Sequence, residues 1–292
     1  MTATTGIALA FAAMLGWGIG DFMIQKNARR LGDWETLFVL TAFGALILLP
    51  FTYRNIAPLF QGPLESMLIL LSAGLMLLAS TLLNFEAFKK GKISVLEPLY
   101  SIEIVAASVM AFFVLGDHIT WLQGATIAVL VVCLFMVSFR ETRLSRKIFL
   151  EKGVFMFAAG SFILGFADFL IGWGGRVTDP IMSMFATNLI IAVASGLAIV
   201  LRGKTGQMVR DIRTGLSPLL TMAVSENIAW VAYAVAMTLV PIAIATGLSE
   251  SSIVIAVLLG IFVGKERLQR HQKIGLVGAI VCALALAVTT AS

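Results

Sequence analysis

Four carboxylates stand where a chain folded in water would rarely leave them. Asp21, Glu103, Asp168 and Glu250 each lie within a long apolar stretch. An ionisable side chain inside a membrane costs about 3 kcal/mol or more, so it tends to face a bundle interior or a wet cavity. Beside them the sequence sets rings with polar tips. In "ENIAWVAYAVAM", helical spacing gathers Glu226, Trp230, Tyr233 and Met237 on a face about 60° wide. A carboxylate next to indole and phenol rings suits a solute that carries an amine and an aromatic or apolar group. The same stripe would equally serve plain packing between helices. Met14, Trp17, Asp21 and Gln25 share one face of an earlier stretch. Ser80, Thr81, Asn84 and Phe88 share another, either lining a cavity or bonding to a neighbouring helix. Glu97 and Glu103 flank Tyr100 and Ser101, and Pro98 loosens the backbone there. The candidate substrate contacts are therefore Trp17, Ser80, Asn84, Tyr100, Glu226, Trp230 and Tyr233. The candidate gating or coupling groups are Asp21, Glu103, Asp168 and Glu250.

The elements that must position these residues follow from composition. Of 292 residues 59% are hydrophobic and 13% charged, with a mean hydropathy of +0.98. A soluble domain carries about twice that share of charge. A chain this apolar takes the bilayer as its solvent. Ten stretches are long enough to span it: roughly 5–25, 34–53, 66–88, 94–115, 121–139, 153–173, 180–201, 216–238, 242–263 and 272–290. Each should be helical, because only then are its backbone polar groups satisfied in lipid. Only 54–65, 140–152 and 202–215 are connections longer than a turn.

The basic residues divide unevenly. Nineteen of the 21 Lys and Arg fall after stretches one, three, five, seven and nine; only Arg54 and Arg176 fall on the other side. The positive-inside rule then puts the first set in the cytoplasm and both termini outside. The net charge of +5 is thus explained by topology rather than by nucleic acid. No Lys or Arg precedes the first apolar run, which argues against a cleaved secretory signal. Cys133 and Cys282 both sit inside apolar stretches, where a thiol packs as a small hydrophobe; neither a disulfide framework nor a metal site is expected.

The two halves repeat. Asp21-Phe22 recurs as Asp168-Phe169, 147 residues on, and Phe38 recurs as Phe185 at the same offset. "SIEIV" (101–105) lies over "LSESS" (248–252), so Glu103 matches Glu250. "DHITWLQ" (117–123) lies over "ERLQRHQ" (266–272) at an offset of 149, which Cys133 and Cys282 share. Five stretches per repeat is an odd number, so the copies cross the membrane in opposite senses. The loop "GDHIT" has no basic residue and its partner "GKERLQRHQK" has four, as inversion requires. The expected fold is an all-α integral membrane protein: ten transmembrane helices in two five-helix inverted-topology repeats, 1–146 and 147–292, around a central cavity. Such repeats place substrate sites near the midplane between them. Asp21 then lies near the cytoplasmic end of its helix beside Lys26 or Arg29, and Asp168 near the external end of the sixth beside Arg176. They either gate opposite mouths or form terminal ion pairs. Glu103 and Glu250 lie mid-membrane near the pseudo-twofold axis, either carrying protons or held by buried hydrogen bonds.

Ten spans in two five-helix repeats, a Gly-rich first helix ending in an acidic residue, and "VGKERLQRHQKIG" before the last helix resemble the drug/metabolite transporter superfamily, in particular its EamA-type branch. Gly264, Glu266, Gln272 and Gly275 fit that branch's Gly-Glu, Gln and Gly pattern with one residue inserted; the first copy departs, with Gly116-Asp117 and Thr126. The acidic-aromatic first helix looks like that of the YddG-type aromatic amino-acid exporters. The resemblance implies a secondary transporter in the bacterial inner membrane. It would export small organic solutes, amino acids and especially aromatic ones, by alternating access, with a lipophilic-cation exporter as the alternative. Its partners would be the solute, the lipid bilayer and, for coupling, protons; no cofactor or nucleic acid is expected, and a monomer would suffice. No Gly-Lys-Ser/Thr phosphate loop is present, so ATP is not the expected drive. The two histidines, His118 and His271, fall in loops on opposite sides, which leaves an intramembrane enzyme without a catalytic pairing. A channel would need a continuous polar stripe, and these polar groups are local clusters.

Overall fold

Ten helices long and apolar enough to cross a membrane build the structure, a computed structural model that describes residues 2–90, 96–139, 153–262 and 268–291. They are α1 (Ala3–Leu31), α2 (Asp33–Gln61), α3 (Leu64–Lys90), α4, α5 (Trp121–Ser138), α6 (Val154–Val177), α7 (Pro180–Leu201), α8 (Leu216–Leu239), α9 and α10 (Arg270–Ala291). Two are composite. α4 joins a 3-10 turn, Glu97–Tyr100, to the helix Ser101–Met110 and a π turn, Ala111–Leu115. α9 runs as Ile242–Ser249 and Ser252–Phe262, interrupted at Glu250 and Ser251.

Local chemistry explains the departures from the expected spans. α2 continues to Gln61 through Pro50 and Pro58, so most of the connection expected at 54–65 is helix. The chain stops only at Gly62-Pro63. Pro98 opens α4 rather than loosening it, sitting in the first turn, where its missing N–H leaves nothing unpaired. The stretch 202–215 contains a surface helix, Thr205–Thr214. The expected connection 140–152 lies outside the described residues apart from its edges. Several buried hydroxyls bond back to their own helix, as Thr41 to the Leu37 carbonyl at 2.7 Å and Ser195 to that of Ile191 at 2.5 Å, which satisfies them within an apolar span.

Packing follows the repeat. The principal pairings are α1 with α8, α3 with α6, α2 with α7, and α5 with α10; α4 also packs on α6, and α9 on α1. Each pairing joins one half of the chain to the other. Exchanging α1 with α6, α3 with α8, and so on maps the set onto itself, which is what a pseudo-twofold axis between the halves demands. Two side-chain pairs fix that relation. Thr120 and Gln123 form a capping box at the start of α5, with Thr120 N–H donating to Gln123 Oε1 at 2.8 Å. Gln269 N–H donates to Gln272 Oε1 at 3.0 Å at the start of α10. The amides then reach across: Gln123 Nε2 donates to the Thr289 carbonyl at 3.2 Å, and Gln272 Nε2 to the Val137 carbonyl at 3.0 Å. Each last helix of a repeat is thus pinned at its start and tied to the far end of the other. Cys133 and Cys282 face one another across the same pair, free and buried.

Candidate functional site

The inward face of α8 meets α1 through rings. Trp17 stands edge-on to Trp230 at 5.0 Å and to Tyr233 at 5.1 Å between ring centroids, and Trp230 lies 6.0 Å from Tyr233. T-shaped contacts suit the quadrupoles of the rings, so the three form one interlocked unit. Tyr233 is fully buried, and its hydroxyl shares a 2.7 Å hydrogen bond with Thr246 of α9. Thr246 in turn donates to the Ile242 carbonyl at 2.9 Å. Helical spacing placed Trp230 and Tyr233 together; nothing in their spacing disclosed Trp17 or Thr246 as partners.

The carboxylates gather beside this unit. Glu103 of α4 lies within hydrogen-bonding reach of Glu250 at the interruption of α9 and of Asp168 on α6. Asp168 also faces Tyr233. Glu103 and Asp168 are buried to 3% and 0% exposure. Among the described residues neither Asp168 oxygen meets a well-aligned hydrogen-bond partner. The polar side chains described around Glu103 and Asp168 are carboxyls and the Tyr233 hydroxyl. Such a site can receive a positive charge or a hydrogen-bond donor, and it repels an anion.

Gly165 brings α6 close enough to do this. A Cβ there would run into the Glu103 carbonyl and the Ala106 side chain of α4. With hydrogen in that place the two backbones approach, and Asp168, nearly one turn further on, reaches Glu103.

One expectation is overturned. Asp168 does not stand near a helix end beside Arg176. α6 extends to Val177, so Asp168 is interior, while Arg176 forks onto Asp117 with N–O distances of 2.5 and 2.9 Å. The sequence could not show this partner, 59 residues away in a loop. The meeting of Glu103 with Glu250, by contrast, is where their repeat relation places them.

The remaining candidates lie elsewhere. Glu226, buried, sits against Gly20 of α1, one turn from Trp230. Tyr100 belongs to a second aromatic group, 4.8 Å from Phe157 and 6.4 Å from Phe88. Ser80 bonds to the Leu77 carbonyl of its own helix at 2.9 Å, and Asn84 presses on Gly160 in the α3–α6 contact. The structure does not bring Tyr100, Ser80 or Asn84 to the Trp17–Trp230–Tyr233 unit by any described contact. The side chains of Asp21 and Glu97 lie outside the described residues. An amide pair went unnoticed in the sequence: Asn188 donates to Asn227 at 3.1 Å, and Asn227 to the Leu40 carbonyl at 3.0 Å, tying α7, α8 and α2. Two amides in apolar spans were the available signal.

Comparison with known proteins adds three findings. The sequence pattern of the EamA-like transporter family matches residues 4–139 and again residues 151–289. No curated protein matches the chain. A solved structure described only as "Crystal structure of protein" superposes with a TM-score of 0.72 at 15% identity, over 98% of this chain and 97% of its own.

Proposed function

Since the chain belongs to the EamA-like transporter family, we propose that it is a secondary carrier that exports small amine-bearing organic solutes, aromatic amino acids foremost, by alternating access. The observation that carries this reading is the ring unit of Trp17, Trp230 and Tyr233 set against the buried carboxyls of Asp168 and Glu103, with Glu250 beside them. Rings grip the apolar part of the solute, and the carboxyls meet its amine. The pseudo-twofold arrangement supports alternating access, because exchanging the conformations of the two repeats turns a site open to one face into a site open to the other. The interruption of α9 at Glu250 supports the same location, since broken helices mark midplane sites in inverted-repeat carriers. The Lys and Arg bias orients the termini outward and the basic loops to the cytoplasm. Asp21, Glu103, Asp168 and Glu250 are the groups through which protons would couple.

A lipophilic-cation exporter is the second reading. It is favoured by the described surroundings of Glu103 and Asp168, which offer nothing cationic to an amino-acid carboxylate.

Counterflow in proteoliposomes tests both. Vesicles loaded with unlabelled tryptophan, phenylalanine, threonine or methyl viologen are followed for entry of the matching labelled solute. Saturable exchange of tryptophan or phenylalanine is the expected result. Exchange of methyl viologen alone moves the assignment to cations. Exchange of neither, by folded protein, removes both. Trp230→Ala or Tyr233→Ala should reduce saturable exchange about tenfold or more while the protein still folds, since each removes ring contacts that the solute shares.

A further inference from the structure

The pair Arg176–Asp117 stands about two turns along α6 from Asp168 and one turn along α8 from Tyr233, at the ends of these helices. Asp117 follows Gly116, whose φ of +66° turns the chain out of α4. Arg176 stands in the last turn of α6. Their forked contact is supplemented on both sides. Arg176 Nε donates to the Met237 carbonyl at 2.9 Å and Nη2 to the Val240 carbonyl at 3.4 Å, at the end of α8. Asp117 Oδ2 accepts from the Ile242 N–H at 2.9 Å, at the start of α9. The cation meets carbonyls left over at a helix C-terminus, and the anion meets an N–H left over at a helix N-terminus, so both also gain from the helix dipoles.

Four elements converge on this one pair: α4, α6, α8 and α9. They are the elements that carry Glu103, Asp168, Trp230 with Tyr233, and Thr246 with Glu250. Beside the pair the packing is open. An apolar crevice lined by Val109, Phe112, Asp117, Ile119 and Ala243 runs beside it, between the end of α4 and the start of α9. The side chains keep 25% and 13% of their exposure, so the pair is not sealed inside the bundle. The sequence repeats the pair: the offset of 147 lays Arg29 over Arg176, and that of 149 lays Glu266 over Asp117. Both lie outside the described side chains, and the correspondence is one of sequence.

We infer that Arg176 and Asp117 form the latch that holds this end of the transport path shut, and that parting them admits the solute to or from the cluster below. The inference rests on the carrier reading for its purpose but not for its test. Spin labels at Ile119 and Thr178, in a chain whose two cysteines are replaced by alanine, report the separation of the two turns in nanodiscs. Asp117→Asn and Arg176→Gln should each move the distance distribution toward a longer component, enriched roughly tenfold over the parent, as expected on losing a forked charged contact. Reversing both charges, Asp117→Arg with Arg176→Asp, should restore part of the short component. Should the neutral variants not fold, Arg176→Lys, which keeps the charge and loses the fork, carries the test with the same sign. An unchanged distribution in folded variants overturns the latch, and counterflow that persists in them leaves the carrier intact. A longer component in a chain that exchanges no tested solute leaves the latch standing and removes the substrate assignment.

Discussion

Tyr233 joins two kinds of contact in one side chain: its ring completes the unit with Trp17 and Trp230, and its hydroxyl holds Thr246 and faces Asp168. The two can be separated. Tyr233→Phe keeps the ring and strands little, because Thr246 still donates to Ile242. It should cost about 1 kcal/mol in thermal or denaturant unfolding, against about 3 kcal/mol or more for Tyr233→Ala. Asp168→Asn gives a sharper contrast. It keeps the shape and discards a buried carboxyl that lacks aligned partners among the described residues. The unfolding temperature should hold or rise while exchange of solute falls, since a buried charge costs stability that only a ligand offsets. A fall in both would assign Asp168 to the scaffold. The type of each of these residues was legible in the sequence. The surroundings of Asp168 were not, because a span ending one turn later moves a carboxylate from the interface to the interior. That extra turn is held by Arg176, whose partner comes from a different helix pair.

At the scale of elements, two close approaches set the geometry of the cluster. Gly165 lets α6 lie against the backbone of α4. Gly165→Ala should destabilise by about 1–3 kcal/mol, as overpacking does, and should displace Asp168 from Glu103. The melting temperature reads the first effect, and loss of exchange out of proportion to it reads the second. At the starts of α5 and α10 the reciprocal glutamines serve as both cap and cross-link. Gln123→Ala should lower unfolding free energy by about 1–2 kcal/mol, the combined loss of a cap and a buried side-chain bond. Helix number and spacing were plain in the hydropathy. The continuation of α2 through Pro58 was not, because a proline within a helix surrounded by lipid and neighbours costs one bond rather than the helix. The break in α9 was hidden as well. Glu250-Ser251 carries no Gly or Pro to announce it.

At the scale of the molecule, the leading contacts all run between the halves, so neither half holds a complete set of partners for its own apolar faces. Residues 1–146 expressed alone should fail to accumulate in the membrane, whereas co-expression with 147–292 should recover a co-purifying complex. Stable accumulation of either half alone would show that intra-repeat packing suffices. The inverted repeat itself could be read from matched residues at offsets of 147 and 149. The structure adds which members of the matched pairs touch: Glu103 with Glu250 and Cys133 with Cys282, side chains near the axis. The paired helices α5 and α10 have a further use. Each is fastened at its start and hooked to the other's far end, and the elements gathered by Arg176 and Asp117 do not include α10. On the carrier reading they therefore supply a fiducial mast against which the other parts would tilt. A pair of probes on their lipid faces, at Val129 and Val281, should return one invariant distance in every condition, the ruler against which displacement anywhere else is read.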